Sequence, residues 1–130
     1  MFEADLIPII CVLLLGGAPE QRVAYDLHDG SHYVQVDCLT DTHAIEIGLD
    51  NRRSSYDSVH QAVFYGHLTE REPLVILVDT DGREDNAEYQ VERVARDLGV
   101  GFHVYDLDYL IRMQMTAWLR ERRAEPLLSN

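Results

Sequence analysis

Val36-Asp37-Cys38-Leu39-Thr40-Asp41-Thr42-His43-Ala44-Ile45-Glu46-Ile47-Gly48 is the stretch whose reading decides the fold. Apolar and polar residues alternate on both sides of Asp41-Thr42, the pattern of two strands joined by a tight turn. That turn pairs Cys38 with Ile45, Val36 with Ile47 and Val34 with Leu49. Upstream, Asp29-Gly30 is a two-residue hairpin signal whose register sets Val23 opposite Val36, Tyr25 opposite Val34 and Leu27 opposite His32. Both turns bring apolar residues to one face of a three-stranded meander, and a slip of one residue would destroy the agreement. On the opposite face Asp37 stands across from Glu46, with Cβ atoms ~5 Å apart. Like charges so placed repel, so the pair needs a shared proton, a cation or full solvation at a sheet edge.

Working outward, Leu6 to Leu15 is an apolar run stopped by Gly16, Gly17 and Pro19, which predicts a first helix packed on the core. Pro73 precedes Leu74-Val75-Ile76-Leu77-Val78, a continuous apolar run expected of a strand covered on both faces. A helix follows over about Asn86 to Leu98, then a strand at Phe102-His103-Val104-Tyr105, then a last helix from about Leu107 to Arg123. Between the meander and Pro73, Gln61 and Tyr65 are four residues apart and share one face of a helix, with Ser54 and Asp57 placed to cap it. The order helix, three strands, helix, strand, helix, strand, helix predicts an α/β chain, residues 1–130 forming a single domain.

The segment from Val36 to Gly48 resembles the strand-turn-strand core of the PD-(D/E)xK nuclease superfamily, and Gln61-Ala62-Val63-Phe64-Tyr65 resembles the Q-x-x-x-Y motif of its exonuclease-like branches. The resemblance implies a restriction-endonuclease-like αβββαβ core, a mixed sheet flanked by helices. It implies that Asp37 and Glu46, with the Ile47 carbonyl, ligate Mg²⁺ or Mn²⁺, hard cations that prefer oxygen. Such a metal activates water for attack on a phosphodiester. Gly48 stands where the superfamily carries its lysine, and the chain contains no lysine at all. Gln61, Arg52 or Arg53 can occupy that space, but arginine stays protonated and cannot deprotonate water. Glu20 is the candidate for the additional acid of the first helix, while His43 and Tyr65 are candidates to line the site. The alternative is a catalytically inactive member kept as an interaction or assembly module.

Composition narrows the partners. The 130 residues are 46% hydrophobic, enough for a core, and 23 acidic against 11 basic side chains give a net charge of -12. That charge disfavours nucleic acid as a partner unless the acids are neutralised locally. The six histidines show no compact ligand spacing, Asp79-Thr80-Asp81-Gly82 opens like a calcium loop but meets no glutamate at the twelfth position and is read as a strand-to-helix turn, and no phosphate-binding glycine loop follows a strand. The N-terminal apolar run is half the length of a membrane span and has no basic leader, so the chain is read as cytoplasmic. Cys11 and Cys38 are read as buried thiols, or as one disulfide if the protein is exported. An apolar stripe on the last helix serves the core or, if exposed, a homodimer, with Arg120, Arg122 and Arg123 at its C-terminal end.

Overall fold

A computed structural model describes residues 3–124, with backbone alone for 122–124. It is an α/β structure around a five-stranded sheet of order β1-β2-β3-β4-β5. The strands are β1 (Ala18–Leu27), β2 (Gly30–Leu39), β3 (His43–Leu49), β4 (Glu72–Asp79) and β5 (Gly101–Asp106). The helices are α1 (Glu3–Pro8), α2 (Ser58–Thr69), α3 (Asn86–Asp97), α4 (Leu107–Met115) and α5 (Ala117–Ala124). The first three strands run antiparallel and the pairs β3/β4 and β4/β5 run parallel, so the sheet is mixed.

Alternation along β4 divides the core into two layers. Ile76 and Val78 join Leu6, Ile10, Ile45 and Leu110 on the side of α1 and α4. Val75 and Leu77 join Val59, Ala62, Val91 and Ala95 on the side of α2 and α3. All four β4 side chains are essentially without exposure, as expected of a strand covered on both faces. The same alternation in β3 sends Ile45, Ile47 and Leu49 to the α1 side. Glu46 and Gly48 therefore face the opposite layer, where α2 lies.

The first helix departs from a simple α-helix. It continues past Pro8 as a π-helical turn (Ile9–Leu14), with Leu15 N–H donating to Ile10 O at 3.0 Å. This turn delivers Cys11 to Cys38, and the two form a disulfide with Cα atoms 5.5 Å apart. Gly17 passes directly over it: a Cβ there would lie 2.7 Å from the Cys38 sulfur and 2.9 Å from Leu39 O, so a side chain has no room.

The β1/β2 register corrects the sequence reading by two residues. Val23 pairs with Val34, Tyr25 with His32 and Leu27 with Gly30, so His28-Asp29 forms the tip. Gly30 takes φ +130°, open to glycine, and can begin the strand directly. A shift of two preserves side-chain parity, so the same residues share a face. Leu27, at the far end, is nevertheless 53% exposed. At the second turn Cys38 pairs with Ile45 and Leu39 with Ala44 as expected, and Thr40 N–H donates to His43 O at 3.0 Å across Asp41-Thr42. The ladder does not extend to the expected pairs Val36/Ile47 and Val34/Leu49. The cause is local: Ile47 N–H donates instead to Asp37 Oδ2 at 2.9 Å.

Two helical expectations also change. Arg53–Asp57 forms a 3-10 turn ahead of α2, and Asp57 caps α2 without a side-chain hydrogen bond. The last helix breaks at Thr116 into α4 and α5, and Arg120 reaches back to Thr116 Oγ1 at 2.7 Å and to the Met113 carbonyl. Leu110 stays in the core while Met115 and Trp118 turn outward. Arg122 and Arg123 side chains lie outside the described residues.

Candidate active site

The residues from which β2 and β3 part define the site. Cys38 is fixed by its disulfide and its pairing with Ile45, so Asp37 projects from the opposite face of β2. Its carboxylate accepts from Ile47 N–H, while its own N–H donates to Glu46 Oε1 at 3.4 Å. The two acids thus interlock across the strands, each side chain bonded to a backbone N–H beside or at the other acid. They line a cavity of about 250 Å³ together with Glu3, Gln35, Gln61 and Tyr65. Ile47, Gly48 and three serines of the 3-10 turn and α2, Ser54, Ser55 and Ser58, close the rest.

Electrostatics follow from burial. Glu46 is 6% exposed, and burial first, then the Asp37 charge, push its carboxyl up to about 9. Burial also raises Asp37, but the Ile47 N–H and the Glu46 hydrogen bond act in the opposite direction. Without a cation, Glu46 is therefore the acid of the pair that burial and its neighbour drive toward the protonated form. Glu3 is raised by burial and by Asp37, with the Arg52 guanidinium opposing the shift. Tyr65 is raised by burial and by both carboxylates, which places its hydroxyl in their field.

The sequence-derived candidates divide cleanly. Asp37, Glu46, Ile47, Gln61 and Tyr65 all line the cavity, from three elements. Arg52 acts on it through Glu3, whereas Arg53, with Arg52, Tyr56 and Asp50, lines a separate depression of about 440 Å³. His43 is absent from the lining; its Nδ1 bonds Thr42 Oγ1 at 2.7 Å, as a turn residue would. Glu20 is exposed at φ 52° on β1 and reaches Asp37 only as a repelling charge.

The acid that α1 contributes is Glu3, which sequence reasoning passed over. Its signal was available: an acidic residue one turn ahead of an apolar helix, where the helix dipole favours it. The serines had no comparable signal. Ser55 leaves position 48 no room for a side chain: a Cβ on Gly48 would lie 2.5 Å from Ser55 Oγ, which itself donates to Leu49 O at 2.6 Å. Position 48 borders the cavity, but the 3-10 turn already fills the space a side chain there would need.

No family model, curated protein or solved structure matches this chain. The site's chemistry therefore rests on its own geometry.

Proposed function

We propose that this chain is a divalent-cation-dependent, nuclease-like domain of the PD-(D/E)xK type, with a restriction-endonuclease-like core. The observation that carries the reading is the convergence of Asp37 and Glu46 in one cavity, where burial and the Asp37 charge raise the Glu46 carboxyl to about 9. A cation offsets that repulsion better than a proton can, and the donor set suits one: two carboxylates with Ile47 beside them, all oxygen ligands of the kind Mg²⁺ and Mn²⁺ prefer. When bound, such an ion lowers the pKa of water and neutralises charge on a phosphodiester.

The chain's own residues supply the remaining roles. Gln61 and Tyr65, one turn apart on α2, present an amide and a hydroxyl to the cavity and can orient a phosphate. Glu3 takes the place of the absent lysine as proton acceptor, because its raised carboxyl lies nearer neutral pH than a free one. Arg52 next to Glu3 adds the positive charge that an acidic surface otherwise withholds from a polyanion.

The test is cleavage of single-stranded DNA, duplex DNA and RNA oligonucleotides with Mg²⁺ or Mn²⁺. Cleavage abolished in Asp37→Asn and lowered in Glu3→Gln supports the reading, whereas cleavage equal in Asp37→Asn and wild type contradicts it. A second reading, an inactive assembly module, is favoured by Ser55 closing position 48 and by Trp118, 56% exposed on α5. It expects cation binding without cleavage of any substrate, and a stable dimer in sedimentation that Trp118→Glu disperses.

A further inference from the structure

Beyond the C-terminal end of β3 a second group of acids converges, from four parts of the chain. Asp50 follows β3, Asp79 ends β4, Asp81 lies in the loop after it, and Asp85 and Glu88 open α3. Carboxylate oxygens of Asp50, Asp85 and Glu88 lie within 4.8 Å of one another, and so do those of Asp50, Asp79 and Asp81.

Acids alone do not make a site, but two of these are buried and incomplete. Asp50 is 4% exposed and Glu88 is 7% exposed. Asp50 Oδ2 and Glu88 Oε2 are closed off from solvent and have no hydrogen-bond partner. Leaving such oxygens unmatched is costly, since each loses its water without replacement.

The other oxygens of the group are already committed to the backbone, which fixes the acids in place. Asp50 Oδ1 accepts from Thr80 N–H at 3.2 Å and from Thr80 Oγ1 at 2.7 Å. Asp85 Oδ1 accepts from Glu88 N–H at 3.1 Å, and Asp79 Oδ1 accepts from Gly82 N–H at 2.8 Å. Each of these three acids therefore uses one oxygen to hold the loop and keeps a second for another partner.

We propose that Asp50, Asp85 and Glu88 bind a calcium ion that ties the end of β3 to the start of α3, with Asp79 and Asp81 adding negative charge on the other side of Asp50. The choice of ion follows from ligand number and charge. Ca²⁺ takes six to eight oxygens at about 2.3–2.6 Å in flexible geometry, so opposed ligands sit about 4.6–5.2 Å apart. Mg²⁺ keeps most of its water and is held by one or two carboxylates, which fits the pair at Asp37 and Glu46 better than this denser group. A depression lined by Asp50, Arg52, Arg53, Asn86 and Ala87 borders the group at Asp50. The site is independent of the cavity at Asp37 and does not rest on the proposed nuclease function.

Calcium titration of chelator-treated protein, by calorimetry and thermal melting, tests it. Expected are binding and a raised melting temperature in wild type and in Asp37→Asn alike. Affinity should fall at least about tenfold in Glu88→Gln, which removes one ligand charge. Glu88→Gln should also melt above wild type in chelator, because a buried acid among acids has become neutral. Asp50→Asn keeps the acceptor for Thr80 and provides a second variant if the first does not fold; it should lose affinity likewise. Absence of calcium binding in wild type overturns the proposal. So does binding unchanged in the folded variants, or lost in Asp37→Asn instead.

Discussion

Glu46 is the residue in which burial and charge conflict most. Its carboxyl is raised in the folded chain to about 9, far above an unfolded glutamate. Between roughly pH 5 and pH 9 the folded state thus binds the extra proton, so stability falls as pH rises, by at most about 1.4 kcal/mol per unit. Other raised acids add to the slope, so the readout is the difference between wild type and Glu46→Gln. In chelator the variant should melt higher than wild type at pH 8, with the gap closing toward pH 5; urea or thermal melts across that range check it. Gly48 gives a second residue-scale expectation. Gly48→Ala should lose about 1–3 kcal/mol from overpacking against Ser55, and Ser55→Gly added to it should recover part of the loss. Equal stability of Gly48→Ala and wild type by urea denaturation would remove the steric account of Gly48.

Among elements, the strand-turn-strand unit was legible because alternation and a tight turn are local signals. Asp41-Thr42 fixed the pair Cys38/Ile45, and with it the side of the sheet from which Asp37 and Glu46 project. What lay beyond was not legible for an identifiable reason. The ladder ends where the Asp37 side chain takes the Ile47 amide, a competition between side chain and backbone that hydrophobic pattern does not register. The hairpin tip moved because Gly30 tolerates a φ that lets it open β2 rather than sit in the turn. Glu3 and the serines enter the site through tertiary packing of α1 and the 3-10 turn, which spacing along the chain does not encode. The disulfide acts at this scale: it joins the π-helical turn to β2 next to Asp37, closing a loop of 27 residues in sequence separation. Replacing both cysteines by alanine should lower stability by about 3 kcal/mol. The urea midpoint of wild type, with and without reductant, should bracket the same loss; a midpoint indifferent to reductant would show that the bridge does not form in solution.

Over the whole molecule, the acids are not spread evenly as a solvated coat. Of the net charge of -12, part is drawn into the cavity at Asp37 and Glu46 and part into the group around Asp50. Strand β3 links the two, with Glu46 within it and Asp50 just past its end, four residues apart. The chain thus gathers carboxyl groups at two places, and the group around Asp50 is one that could hold a metal ion. No helix among the described residues is long and apolar enough to cross a membrane. Because two cation sites would contribute heat together, the decisive measurement isolates the first. Calorimetric titration with Mn²⁺ in the Asp50→Asn/Glu88→Gln background should give one equivalent bound, and adding Asp37→Asn to that background should abolish it. No binding in the background protein, or binding that survives the loss of Asp37, would contradict a metal centre at Asp37 and Glu46.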